Sequence, residues 1–461
     1  MIVMKFGGSS VRDAEMITRV VDIAADRVSR GVLLVSSACG TTTDRLVTLG
    51  GLAAGGDEVA VEREREAILD EHLAMLAELA TGDRADAARN GIKRLGDDLA
   101  TLLQGILLVG DLSPRSSDAL LGFGERLSTL IITASALTRG IPATLLDSSR
   151  LIRTDDSFGR ARPDLTASRR LIAEAVPRRT GHLYIAQGFI GSRPDGTVTT
   201  LGRGGSDFSA TIYGAALDAE QVEIWTDVDG IMTADPRLIP DARTVSEISY
   251  NEAAELAYFG AKVVHPSTMI PAVESGIPVL VCNTTNPDGP RTRISATTTR
   301  PDLRAIAGRR GVTIVSLHSS RMLNASGFLS SMFEVFARHN VSVDLIATSE
   351  VSVSVSIDAG SPSPAMIREL EALGRVTVDT DKAVLSLVGE GRWKDPHLIR
   401  DVFDALIGPG NDARGNVEHE EVEMISLGSS DTNLSVVVPQ SAYEALMSRL
   451  HARFFDARHP R

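Results

Sequence analysis

Cysteine is almost missing from this 461-residue chain, which holds only Cys39 and Cys282. Two distant thiols make no disulfide framework, and both read as small buried residues suited to a reducing compartment rather than as nucleophiles. An excess of basic charge is missing too: 47 Lys and Arg stand against 60 Asp and Glu, a net charge of −13. That balance argues against a nucleic-acid partner, whose phosphates need a basic face, yet leaves local arginines able to bind a small anion. No apolar run is read as approaching the roughly 18 residues that cross a bilayer, and "MIVMKFGGSS" reaches its glycines too soon for a secretory leader. The expectation is a soluble, cytoplasmic protein with no membrane or nucleic-acid partner. The histidines show no paired ligand spacing, so no protein-held metal is expected; His265, before Pro266, reads as shaping a turn. Walker A, and the kinase glycine loop followed by HRD and DFG, are also absent. Any phosphoryl transfer here therefore belongs to another class of site.

What is present is an ordinary globular composition, 43% hydrophobic and 23% charged, in a chain long enough for two or three domains. Short glycine- or proline-bounded apolar runs ("IVMKFGG", "GVLLVSSA", "GHLYIAQGFIG", "QVEIWTDVDGI", "GIPVLVCNTT") alternate with helical patterns. Among the latter are "AEMITRVVDIAADRV" and a long region from about Asp57 to Leu108, whose "EVAVEREREAILDEHL" reads as a solvated face. That alternation predicts a largely parallel sheet with helices on both faces, and ligands at the carboxyl ends of its strands. The loops KFGGSS, VSSACGTTTD, GRGGSD and TDVDG all fall at that edge.

After the polar linker "NTTNPDGPRTRISATTTRPD" the pattern changes to two βαββαβ runs of roughly 70 residues each. The second lacks a fourth strand, and "LRAIAGRRG" (303–311) stands unpartnered before the first, able to fill the gap. The predicted division is 1–295, then 312–380, then 303–311 together with 381–455.

"TLGRGGSDFS" sets Arg203 and Asp207 around Gly204-Gly205-Ser206. Repeated glycine inside an element costs stability, which points to a backbone that must approach something closely. KFGGSS ends a strand with Lys5, a movable point charge, beside glycines whose amides can meet phosphate oxygens.

These motifs, with GFGERLS, RTDDSFGRA, QGFIG, WTDVDGIMTADPR and FGAKVVHP, occur in the order found in aspartate kinases of the amino-acid-kinase family, which this chain resembles nearly end to end. The second half, with "MLNASGFLSSMFEVFARHNVSVDLIATSEVSVSVSID", is similar to the tandem ACT region of the same enzymes. The resemblance implies an α/β fold: an amino-acid-kinase sheet sandwiched by helices, then two ferredoxin-like βαββαβ ACT domains. It implies transfer of the ATP γ-phosphoryl group to the β-carboxylate of L-aspartate, with Mg²⁺ carried by the nucleotide. Lys5, Arg203 and Asp207 are then catalytic; Ser36, Thr42, Glu125, Arg203, Gly204, Gly205 and Ser206 hold the amino acid. Lys5, Gly7, Gly8, Ser9, Thr226, Asp227, Met232, Arg237 and Lys262 fall to the nucleotide, Met232 standing where many relatives have tyrosine.

For regulation, the lysine-inhibited members imply an effector site from Met322, Gly327, Phe328 and Leu329 facing Ser342, Asp344, Thr348, Ser349 and Glu350. Lysine is the expected effector, since Asp344 and Glu350 offer acids to its second cation; threonine regulation or none is the alternative. A homodimer or homotetramer through the ACT domains is expected, and no GxGxxG strand–helix unit follows the second repeat, which reads as monofunctional. Two further alternatives are a kinase for another acidic amino acid, such as glutamate, and a non-catalytic amino-acid sensor on a kinase-like scaffold. The joint presence of Lys5, Glu125, Arg203, Asp207 and Lys262 weighs against the scaffold.

Overall fold

The computed structural model of the chain describes residues 1–260, 264–299, 302–323, 326–407, 421–427 and 431–456. The chain forms two compact units: Met1–Ile231 with Ser246–Tyr250 and Val263–Thr297, and Met232–Val245 with Asn251–Lys262 and Thr298–Arg461. A single break near residue 295 therefore does not describe it. The reason is packing: Ala234 and Ile239 lie in one apolar cluster with Leu303, Ile306, Trp393 and Tyr443. The Ile306 amide also donates to the Thr233 carbonyl at 2.8 Å.

The first unit is built on β1 (Ile2–Phe6), β2 (Val32–Ser36), β3 (Ala143–Leu145) and β4 (Leu183–Gln187), with a separate hairpin of β5 (Ile190–Ser192) and β6 (Val198–Thr200). It continues with β7 (Val222–Thr226), β8 (Glu247–Ser249), β9 (Val279–Asn283) and β10 (Thr292–Ser295). The eight-stranded sheet runs β3-β4-β2-β1-β7-β9-β10-β8. Every pairing in it is parallel except β9 with β10. β1, β2 and β4 are buried almost throughout, which is why they read as unbroken apolar runs rather than alternating ones.

The first helix, Ala14–Ala25, starts where Asp13 accepts from the Met16 amide, a cap whose loss costs about 1 kcal/mol. The long helical region divides at Ala80–Thr81 into Glu58–Leu79 and Gly82–Val109. One stretch, Pro114–Thr138, is long and apolar enough to cross a bilayer by composition, contrary to the expectation of none. It comprises helices Pro114–Leu121 and Phe123–Thr138, and its most apolar window is 78% buried inside the fold, as a core helix is.

The second unit holds a six-stranded sheet from β11 (Ala305–His318), β12 (Ile346–Thr348), β13 (Ser352–Asp358), β14 (Arg375–Val388), β15 (Met424–Leu427) and β16 (Asn433–Pro439), in the order β12-β13-β11-β14-β16-β15. Two 14-residue strands, β11 and β14, serve two domains at once. Val312–His318 pairs with β13 in the first βαββαβ run, while Ala305–Arg310 pairs with Ala383–Val388 in the second. The crossover is marked by Gly311 and Asp381, both at positive φ, and by register shifts between Arg310 and Ile314.

Candidate active site

The parallel strands of the first unit deliver their loops to one edge. Phe6 at the end of β1 leads to Gly7 and Gly8, Ser36 at the end of β2 to Ser37, and Gln187 at the end of β4 to Phe189. Gly8 is closely packed: a Cβ there would lie 3.1 Å from the carbonyl oxygens of both Ala38 and Gly40. Gly7 uses its amide on the Trp225 carbonyl at 3.3 Å. Gly8 and Ser9 open the short 3-10 helix Gly8–Val11.

Gly204 is left-handed at φ +69° and directly precedes the helix Gly205–Ala216, which carries Ser206 and Asp207 in its first turn. A Cβ on Gly204 would stand 3.0 Å from Thr268 Cγ2 and 3.4 Å from His265 Cβ. His265 does shape a turn, its carbonyl accepting from the Thr268 amide at 3.0 Å.

These loops enclose a cavity of about 320 Å³ lined by Lys5, Gly8, Ser37, Ala38, Thr43, Glu125, Phe189, Gly204, Gly205, Ser206 and Asp207. Lys5 Nζ lies 2.7 Å from Asp207 Oδ1, a contact held by charge rather than by hydrogen-bond alignment. Glu125, 3% exposed, accepts from the Ala38 amide on Oε1 at 3.2 Å, while Oε2 has no hydrogen-bond partner among the described residues. Burial pushes its carboxyl up to about 8, with the amides of Glu125 and Ala38 pulling the other way. An acid buried at this edge with half its acceptor capacity unused is suited to an incoming cation. Cys39 is buried nearby with its thiol pushed up to about 12, chiefly by desolvation, and has no thiolate to offer.

Two expected residues turn away from the cavity while the residue after each lines it. Ser36 is fully buried and its hydroxyl donates to the Ser37 carbonyl, whereas Ser37 lines the cavity and donates to Ser206 Oγ at 2.9 Å. Thr42 is buried and donates to the Cys39 carbonyl at 2.6 Å, closing the turn, while Thr43 faces the cavity. Arg203 lies beside the cavity, exposed and outside its lining. Phe189 is an unforeseen member, a half-buried aromatic at φ +67° whose amide donates to Ser209 Oγ at 3.0 Å. Only the glycine before it in "QGFIG" hints at a tight turn.

Of the expected nucleotide residues, Thr226 and Asp227 follow β7, with Thr226 Oγ1 donating to Asp227 at 3.1 Å. Met232 and Arg237 belong to the second unit. Met232 sulfur accepts from Thr244 Oγ1 at 3.6 Å, and Arg237 pairs with Asp235 at 2.7 Å. Lys262 lies outside the described residues.

The expected effector residues divide between the two ends of β12. Gly327, at φ +87°, precedes the helix Phe328–Arg338; Met322 and Phe328 pack on the apolar core of Val315, Leu317, Met332 and Phe336, and Leu329 is exposed. The Ser319 amide donates to the Val351 carbonyl at 2.8 Å, which sets the end of β11 beside the turn that carries Ser349 and Glu350. Ser342 and Asp344 precede β12 at its other end. There Asp344, its side chain 4% exposed, is already held by the Arg309 guanidinium and the Tyr258 hydroxyl.

The amino acid kinase family model matches residues 1–283 and an ACT domain model matches 315–366. The sequence is 38% identical over 467 residues to lysine-sensitive aspartokinase 3 of Escherichia coli (strain K12), covering 99% of each chain. It is 36% identical over 478 residues to the chloroplastic aspartokinase 1 of Arabidopsis thaliana, covering 99% of this chain and 80% of that one. Among solved structures, E. coli aspartokinase III in complex with aspartate and ADP (R-state) superposes with a TM-score of 0.81 at 38% identity, covering 99% of this chain and all of that one. The same enzyme with lysine and aspartate (T-state) gives 0.79 at 39% identity, covering 99% of this chain and 100% of that one.

Proposed function

The chain belongs to the aspartokinases of the amino acid kinase family, and from that premise we propose how its residues divide the work of phosphorylating L-aspartate. The reaction moves the γ-phosphoryl group of ATP onto the β-carboxylate: a carboxylate oxygen bonds to the γ-phosphorus, the bridging P–O bond breaks, and ADP leaves with that electron pair. A carboxylate is already ionised and nucleophilic at neutral pH, so no general base is needed. The difficulty is bringing two anions together, which calls for fixed positive charge and amide donors.

Lys5 supplies the charge at the transferring phosphoryl oxygens, with Asp207 at 2.7 Å fixing its ammonium. Gly8 and Ser9 add backbone amides. Glu125 receives the α-ammonium of aspartate, Arg203 its α-carboxylate, and Ser37, Thr43 and Ser206 orient the rest. Thr226, Asp227, Met232, Arg237 and Lys262 serve the nucleotide. Mg²⁺ enters with ATP, carried by its phosphates. Asp207 suits an ion that binds through one or two carboxylates plus substrate phosphates.

The observation that carries this reading is the Lys5–Asp207 pair sharing one cavity with the half-satisfied Glu125. Lys5→Ala should lower kcat by about 10²-fold or more while nucleotide affinity changes little, because the charge acts most as the phosphoryl group moves. An ADP-release assay with L-aspartate and L-glutamate, alongside nucleotide binding, checks it; near-normal turnover removes Lys5 from the mechanism.

Lysine is the proposed inhibitor, supported by the name of the E. coli relative and by its lysine-bound structure. It would bind in the first ACT domain, between helix-start amides at Phe328 and Leu329 and the acceptors Thr348, Ser349 and Glu350, with Asp344 reached by rearrangement. Homodimers or tetramers through the ACT domains and a cytoplasmic setting complete the proposal.

A further inference from the structure

The motif RTDDSFGRA has no part in the chemistry above, and neither has Asp118, an acid 1% exposed in the helix Pro114–Leu121. Burying a carboxylate is costly unless its oxygens are satisfied. Here all its described side-chain partners come from two places, the loop at Gly159 and the end of β6 at Thr200. Asp118 accepts from the Gly159 amide on Oδ1 at 2.9 Å and on Oδ2 at 3.0 Å. It also accepts from the Thr200 amide at 2.8 Å and the Thr200 hydroxyl at 2.8 Å. The two loops touch each other directly as well: the Ala161 amide donates to the Thr200 carbonyl at 2.9 Å. A Cβ on Gly202 would stand 3.0 Å from the Gly159 oxygen.

Thr200 is the last residue of β6 and leads straight into Gly202, Arg203, Gly204 and Ser206. Seven positions after Asp118, across the Gly122 junction, the next helix carries Glu125 in its first turn. One carboxylate therefore ties the helix that leads into the ammonium-reading acid to the strand end that leads into Arg203 and Ser206.

We propose that Asp118 is a positioning residue for aspartate: by clamping Gly159 and Thr200 it sets the separation between Glu125 and the Arg203–Ser206 loop, and so the fit of the amino acid between them. It acts through those residues and does not touch the substrate. The proposal rests on the reading of Glu125 and Arg203 as the groups that hold aspartate.

Steady-state kinetics on the full chain test it. Asp118→Asn keeps the shape but turns an NH2 toward amide donors, and should raise the aspartate KM about tenfold or more, since bonds to a charged acceptor are the strong ones. The ATP KM should stay within about twofold, as expected when only the amino-acid side is loosened. A purely structural role would instead lower the melting temperature and the active fraction while leaving both KM values alone. An unchanged aspartate KM, or equal loss toward both substrates, overturns the proposal. Thr200→Val removes only the hydroxyl contact and carries the same test if Asp118→Asn does not fold: a rise of about threefold in aspartate KM is expected, and none refutes the clamp. Arg203→Ala in the same assay reports separately on the underlying reading, which fails if its aspartate KM is normal whatever Asp118 does.

Discussion

Glu125 shows how burial turns an ordinary carboxyl into a charge-sensing one. Without a cation beside it, desolvation raises its pKa from 4.5 to about 8, so near neutral pH the proton is mostly retained. An aspartate ammonium at Oε2 would favour the ionised form, and binding would expel that proton. The aspartate KM should therefore fall as pH rises toward about 8 and then level off, and Glu125→Gln should abolish that dependence while weakening aspartate binding. A pH series of aspartate KM for both proteins decides it; parallel profiles would mean that Glu125 does not meet the amine. The stability sign follows from the same shift. The folded carboxyl binds its proton more tightly than the unfolded one, so its contribution is full below about 4.5 and is lost as pH rises through about 8. Thermal unfolding of the aspartate-free protein across that window should show the decline, and Glu125→Gln should flatten it.

Elements, more than residues, decide which side chains reach the site. Gly204 sits in a left-handed turn that aims the helix Gly205–Ala216 so that Asp207 meets Lys5. Gly204→Ala meets both an unfavourable φ and Thr268 at 3.0 Å, a cost on the order of 1–2 kcal/mol. A lowered melting point with a larger loss in kcat/KM for aspartate is expected; unaltered kinetics would show the loop to be free of the site. The glycine loops and buried strands were legible in the sequence because each is a local signal: an apolar run, a turn residue, a charge at a strand end. Finer aim was not. Ser36 and Ser37 differ only in which face of the strand end they take, and it is Ser36 that turns inward. The parity of β2 holds that information, but an all-buried strand has no polar face to reveal it. The long strands β11 and β14 were read as separate pieces because each changes partner at Gly311 or Asp381, where local pattern breaks although the backbone continues. Asp118 was silent in the sequence, since its partners lie some forty and eighty positions along the chain.

At the scale of the molecule, the second unit is not only a C-terminal appendage. Met232–Val245 and Asn251–Lys262 come from the stretch that the kinase family model covers, yet they cluster with the ACT folds. Thr233 Oγ1 is hydrogen-bonded to His451 Nε2 at 3.0 Å, and the Glu390 amide donates to Glu252 Oε1 at 2.8 Å. The same arrangement places Tyr258, at the end of the helix Tyr250–Tyr258, on Asp344 of the first ACT fold. Asp344 is thus one of the acids proposed for lysine and also the acceptor for a helix that leads into FGAKVVHP. An effector can shift only an equilibrium between states that it binds unequally. In the lysine site proposed above, the two states would differ in whether the Asp344 carboxylate is held by Tyr258 and Arg309 or by an amine. Lysine bound there would have to displace one of these partners, and the Tyr258 hydroxyl, which carries no charge, is the weaker hold. Tyr258→Phe removes that bond while keeping the ring, so lysine should inhibit at a concentration about fivefold lower, the equivalent of roughly 1 kcal/mol. Basal kcat and both KM values should change little, because Tyr258 is outside the catalytic cavity. Lysine titrations of the two proteins at fixed aspartate and ATP provide the measurement. An unchanged midpoint would show that Asp344 and Tyr258 take no part in the response, and a higher one would place their bond in the inhibited state instead.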